Sequence, residues 1–493
     1  MHSLRPDKNR ELFLVSLVEH RKRHGDVFIQ MVFPESFRFG NETFHGVGDF
    51  RQATFLGQAD FHGARFTQKT DFGEVRFKKG ADFHGATFTQ EANFQKSVFE
   101  ETADFCEAKF GDVMRAGRAT FRGGASFVNA SFAGDAHFWD ATFGGTVVSI
   151  NTSFEKMANF HDAAFEEVGF IAARFGGEVN FKTVAFNKRA SFTKATFEDV
   201  ADFSLSTFSR GAGFKEAAFK GKRVSFHLCA IHGGTLFTAR KENGTTFPVF
   251  AGNTEVDFRE VILEPLDALA FRDADLRKCR FLGTDLRKVE LTGVTWPEFA
   301  NRSRRCENLV RWLVSCMRTT NTKTSSRLAT HDWIVCVEQG EAPQWEHLER
   351  LYRELKQNYE ERRAYEKAGN FHYLEKEMRR QNPDTPLPLY VLLRLYWWFS
   401  GYGERATRPL LYALILLLVS ALSYFFLGVS QKDGGAQATL GQLILYSFRV
   451  MTLLKSDDFV LSEGAKWVNT FQSLLGPLFF GLFALAVRQK LKR

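Results

Sequence analysis

Three side chains able to hold a metal ion, His62, His84 and Cys106, recur at intervals of 22 residues. Imidazole and thiolate are ligands that zinc favours, and neighbours on adjacent strand rungs, about 4.8 Å apart, come close enough for two of them to share an ion. Asp60, Asp82 and Asp104 keep the same interval, each two residues before a member of the first set. No base or nucleophile accompanies these carboxylates, so hydrogen bonding at a turn accounts for them better than catalysis. Surface residues at a corner are the plainer reading of the whole column. No metal, cofactor or catalytic group is therefore assigned, and His62, His84 and Cys106 stand only as metal candidates.

Other signals for chemistry are sparse. Gly401-Tyr402-Gly403-Glu404-Arg405-Ala406 matches G-x-G-x-x-A, but it lies beside a long apolar stretch with no strand–helix–strand unit around it, so it does not read as a dinucleotide site. There is no P-loop, H-E-x-x-H or G-x-S-x-G, and the chain is not expected to be an enzyme. The six cysteines form no C-x-x-C pair, which points to a reducing compartment rather than a disulfide framework. One further set falls in an apolar stretch near the C-terminus: Asn469, Gln472, Ser473 and Gly476 share one face at helical spacing. With Thr452 they are the candidates to line a polar path.

What positions the first column is a repeat. The 54 phenylalanines fall on a ruler. One series runs Phe50, Phe61, Phe72, Phe83, Phe94, Phe105 and on to Phe160; a second runs Phe55, Phe66, Phe77, Phe88, Phe99, Phe110 and on to Phe165. Each has a period of 11, and together they step by 5 and 6, with only Ala116 and Ser149 missing from the first series. One residue is dropped after Phe165 and the ruler resumes to Phe219; from Phe271 the step becomes a strict 5. A small residue usually precedes each Phe by two, and an Asp or Asn often lies between them, as in Ala59-Asp60-Phe61 and Ala92-Asn93-Phe94.

Neither a helix nor a flat strand has a period of 5. One side of a square coil does. The Phe and the small residue then face inward, and the other three positions face water or turn the corner. Two 11-residue units make one coil, so residues 26–296 give about a dozen coils stacked over about 55–60 Å. The motif A-[DN]-F-x-x-A-x-F-x-x-x closely resembles the pentapeptide-repeat family in its Phe-rich form. That resemblance implies a right-handed quadrilateral β-helix, a β-solenoid. Residues 220–265 break the rule at Gly233-Gly234, Asn243-Gly244 and Pro248, where distorted coils or an inserted loop are expected.

Residues 1–25 read as an N-terminal capping helix and 297–385 as a linker, irregular at first, with a basic cluster at Arg302, Arg304 and Arg305. Leu348, Leu351, Tyr352, Leu355 and Tyr359 then mark a helix, and Phe371, Leu374 and Met378 a second one beyond a break at Gly369-Asn370. This pair loosely resembles one tetratricopeptide-like hairpin, and should pack on the β-helix end or on a neighbouring subunit. The remaining residues, 386–493, read as a membrane domain. An aromatic interfacial helix precedes two uncharged stretches, 409–429 and 467–487, each long enough to span a bilayer. Between them, 440–454 is apolar, carries Arg449 and is too short to span. Span, short re-entrant segment, span resembles the two-transmembrane ion-channel architecture, although the potassium-filter sequence T-V-G-Y-G is absent.

The formal charge of +8 is unevenly placed: residues 26–296 carry 32 Lys and Arg against 35 Asp and Glu, so the basic excess lies outside the repeats. A near-neutral, tethered solenoid argues against nucleic acid as partner, and against the DNA-mimicking, topoisomerase-protecting role of some pentapeptide-repeat proteins. Basic residues beside both spans place the β-helix and both termini in the cytoplasm, as in a multi-pass protein of a bacterial inner membrane. Two readings remain. In one, a cytoplasmic interaction or sensing module is coupled to a channel-like pore, which requires a homo-oligomer, a tetramer in that architecture. In the other, a passive membrane-tethered scaffold binds a protein partner.

Overall fold

The computed structural model describes residues 6–299, 327–404, 406–431, 438–454 and 459–491. The chain divides into two compact units, Met1–Ala342 and Pro343–Arg493. The basic cluster at Arg302, Arg304 and Arg305 lies outside the described residues.

The first unit is a β-solenoid of about 12 turns. Its strands are mostly two residues long, such as Thr54–Phe55 and Ala59–Asp60, and pair in parallel with strands 22 residues on: Ala59 with Ala81, Phe66 with Phe88, Ala92 with Met114. Four stacks of strands make four faces. Two of them fuse where the longer strands Thr142–Val148 and Ala164–Gly169 run through a corner, with a register shift between Phe143 and Thr146. The dropped residue of the sequence falls here.

Each Phe of the ruler is buried, as are the small residues two positions before them. Phe rings stack in columns, Phe61 on Phe83 at 4.9 Å and 0° and Phe83 on Phe105 at 5.0 Å and 2°. They meet edge-to-face across the coil, Phe72 to Phe83 at 5.4 Å and 84°. Both arrangements suit the ring quadrupole. Where Ser149 replaces Phe, its hydroxyl donates to Thr152 Oγ1 at 2.7 Å, which donates to the Phe127 carbonyl at 2.7 Å, so the buried polar pair is satisfied.

The expected break at 220–265 is an insertion. Arg240–Glu242 and Thr245–Phe247 form an exposed antiparallel hairpin. The next rung arrives 32 residues on, with Phe226 over Phe258 at 4.9 Å.

Both ends of the stack are covered. Helix α1 (Pro6–His24) sets His20 and Arg21 over the first coil; Arg21 pairs with Asp26 at 2.7 Å and Glu42 at 2.6 Å and lies 5.0 Å above the Phe44 ring. At the other end sits α2 (His331–Glu338). Along this face the core Phe N–H groups donate to carbonyls of the next rung, as Phe226 does to Asp257 at 2.7 Å and Phe258 to Arg280 at 2.8 Å. At the last rung of that face the buried Asp332 carboxylate takes the bonds, accepting from Phe281 N at 2.9 Å and Leu282 N at 3.2 Å.

The second unit is helical. Helices α3 (Trp345–Glu361) and α4 (Tyr365–Gln381) form the hairpin. Its turn lies at Arg362 to Ala364, not at Gly369-Asn370: Arg363 adopts φ 59°, and Gly369 is buried beside Ala368 within α4. Small residues there serve helix packing rather than chain reversal. Then follow α5 (Leu387–Ser400), α6 (Thr407–Phe426), α7 (Leu440–Met451) and α8 (Glu463–Leu491).

Candidate functional site

Helices α6 and α8 are long and apolar enough to cross a membrane. Only 28% and 22% of their apolar windows are buried, unlike the core helix of a soluble protein. Leu410, Leu414, Leu418 and Leu422 of α6 and Trp467, Phe471, Leu474 and Leu478 of α8 face outward.

The polar groups face inward instead. Tyr424 Oη donates to Gln472 Oε1 at 2.9 Å, and Gln472 Nε2 donates to the Ser447 carbonyl at 3.1 Å and also bonds its hydroxyl. Ser447 Oγ donates to the Leu417 carbonyl in the middle of α6 at 3.0 Å, and Tyr446 Oη donates to Asn469 Oδ1 at 3.3 Å. Apolar outside and polar, hydrogen-bonded inside is the pattern lipid demands, because unpaired polar groups are costly in hydrocarbon.

Helix α7 is the centre of this arrangement. It starts on a capping box, with Thr439 N donating to Gln442 Oε1 at 3.0 Å. At 12 residues it is too short to span. Its Leu443, Tyr446, Ser447 and Met451 are buried against both long helices. The chain on either side of it is pinned by an antiparallel pair, Ser430–Gln431 with Phe459–Val460. At Gly476 an added Cβ would stand 2.8 Å from the Met451 Cα, so only glycine lets α8 approach so closely.

This geometry places the five pore-lining candidates. Asn469, Gln472 and Gly476 lie on the seam between α7 and α8 within the one chain, Gln472 with no exposure. Ser473 lies off that seam and donates to the Thr470 carbonyl at 2.9 Å. Thr452 ends α7, donating to the carbonyls of Phe448 and Arg449. Pro477 does not break α8.

The Gly-Tyr-Gly motif is a joint. Gly401, Tyr402 and Gly403 adopt φ of 57°, 60° and 82° in succession, a left-handed elbow that ends α5 and turns the chain into α6. A tyrosine there costs roughly 1–2 kcal/mol of backbone strain, offset by its surroundings. Tyr402 is fully buried, its hydroxyl donates to Glu377 Oε2 at 3.1 Å, and its ring meets Tyr373 at 5.3 Å. Burial, then Glu377, push this phenol far above its usual range. Trp397 Nε1 donates to Tyr373 Oη at 3.0 Å, and Arg380 stacks over Trp397 at 5.4 Å. The hairpin, expected on the β-helix end or a neighbouring subunit, is thus joined within its own unit to α5 and the elbow. Sequence reasoning missed this joint; two glycines around an aromatic residue at a helix end were its only signal.

On the solenoid, the Asp column behaves as the turn chemistry requires. Asp60, Asp82 and Asp104 each accept the N–H two residues on, at 3.0, 2.9 and 2.9 Å. The His62 and His84 rings stack at 5.1 Å, and burial, then Asp104, push the Cys106 thiol up.

Two family models, both described as pentapeptide repeats, match the chain. One, of 9 copies, matches residues 72–114, 107–148 and 192–239; the other, of 8 copies, matches residues 270–295. No curated protein and no solved structure matches. All the matched stretches lie within the β-solenoid, and over them the chain carries pentapeptide repeats.

Proposed function

We propose that this is a membrane-anchored pentapeptide-repeat protein whose β-helix is a protein-interaction or sensing module coupled to a channel-like, oligomeric membrane domain. The observation that carries this reading is the seat of α7, a helix too short to span, hydrogen-bonded to the middle of one long apolar helix through Ser447 and to the other through Gln472. Non-spanning backbone at membrane depth is tolerated where protein buries it or it lines a cavity. The elbow at Tyr402 and its bond to Glu377 offer a mechanical link from the hairpin to α6. In this reading the β-helix and both termini are cytoplasmic, in a bacterial inner membrane.

A second reading, a passive tethered scaffold, draws support from Asn469 and Gln472, whose side chains are used inside the single chain. Detergent-solubilised protein should run as a homo-oligomer, a tetramer in the channel reading, and conduct ions in liposomes. Gly476→Leu should abolish the flux, because the new side chain collides with Met451. A monomer with no flux under any condition leaves only the scaffold.

A further inference from the structure

One face of the solenoid gathers three different metal-binding side chains. Asp82 is in register with Asp104, and Gly85 N donates to the Cys106 carbonyl at 2.8 Å, so His84 stacks directly beneath Cys106. Asp104 and Cys106 flank the buried Phe105 and so emerge on the same side. One donor atom from each of His84, Asp104 and Cys106 lies within 4.8 Å of the other two, the one such group among the described residues. All three are part-buried, and the His62 ring stacks behind that of His84 at 5.1 Å. The column stops at both ends: Gly40 underlies His62, and Val128 overlies Cys106, whose neighbour Glu107 donates its N–H to the Val128 carbonyl.

We propose that His84, Asp104 and Cys106 bind a borderline divalent transition-metal ion, Zn2+ by the chemistry of the set. Imidazole nitrogen, carboxylate oxygen and thiolate sulfur together suit tetrahedral zinc, whose ligand distances are about 2.0–2.3 Å. Ligand atoms around such an ion stand roughly 3.5 Å apart, so closing from the observed spacing takes side-chain rotation and no backbone shift. The groups around the site are already oriented: Asp104 Oδ1 accepts the Cys106 N–H at 2.9 Å, and Ser126 Oγ sits 2.9 Å from Cys106 Sγ as an outer partner. On binding, the thiol gives its proton to solvent and the sulfur lone pair goes to the metal, with no change of oxidation state. Water completes the fourth position. The ion ties two consecutive rungs together, independently of what the membrane helices do.

The test uses the full-length, detergent-solubilised protein, stripped with chelator and titrated with Co2+ as the probe. One equivalent per chain should produce tetrahedral cobalt absorption with a thiolate-to-cobalt charge-transfer band, both displaced by Zn2+. Cys106→Ser should abolish the charge-transfer band, and His84→Ala should weaken binding at least tenfold. Both variants should melt like the wild type in the absence of metal, which separates loss of a ligand from loss of fold. A charge-transfer band that persists in Cys106→Ser, affinity unchanged in His84→Ala, or no saturable binding would each overturn the proposal.

Discussion

At the scale of single residues, the stacked rings set what the solenoid tolerates. Phe83 has no exposure and lies between Phe61 and Phe105 in its column. A carboxylate there has neither water nor a partner, so Phe83→Asp should unfold neighbouring coils, at a cost of more than about 4 kcal/mol. Gln90→Asp, on an exposed position of the same coil, should change chemical denaturation by less than about 0.5 kcal/mol. Equal effects of the two would refute the inward register. A second consequence follows from the turns. Glu107 adopts φ 57° with an exposed side chain, so it bears left-handed strain with no apolar burial to offset it. Glu107→Gly should raise stability by about 0.5–1 kcal/mol, relieved strain outweighing the added freedom of the unfolded chain.

At the scale of elements, α2 ends the β-stack by chemical imitation. The Asp332 carboxylate stands where a further rung would place its carbonyl, and burial pushes it up to about 6 despite the N–H groups of Phe281 and Leu282 and the Arg280 guanidinium. A carboxyl raised in the folded state holds a proton that the unfolded chain has already released. Its contribution to stability is therefore largest below about pH 4 and is lost as pH rises through about 6, by up to about 3 kcal/mol. The neighbouring His331 is depressed by burial and works in the opposite sense, favouring the fold as pH rises. Comparing the wild type with Asp332→Asn isolates the carboxyl, because His331 is common to both. The wild type's stability relative to the variant should fall by about 2 kcal/mol or more between pH 4 and pH 7 in denaturant titrations. A difference that stays flat or grows with pH would mean Asp332 is ionised without cost in the fold.

At the scale of the whole molecule, the two-span reading makes a topological statement. Single cysteines placed at Ser430 and at Gln90, in a background without the native cysteines, should behave oppositely. The first should react with a membrane-impermeant maleimide added outside intact cells, and the second only after lysis. Labelling of Gln90→Cys from outside would place the β-helix across the membrane and invert the proposed orientation.

The solenoid was legible in the sequence because its contacts are periodic. Every coil buries its Phe against the coil before and after, so a local motif repeated at 22 residues already states the long-range pairing. The apolar helices were legible for a similar reason: length and composition alone determine whether a helix can cross a bilayer. Where the period fails, pairing depends on chain segments that meet only in space. Nothing local announced that Asp332 would cap Phe281 from 51 residues away, or that Tyr402 would plug into Glu377. The face of Asn469, Gln472 and Gly476 was readable as polar and small, but a helical face does not name its neighbour. Only the tertiary structure set α7 against it, because Tyr424 and Tyr446 donate to Gln472 and Asn469 and Gln472 donates to Ser447, satisfying polar groups that hydrocarbon could not.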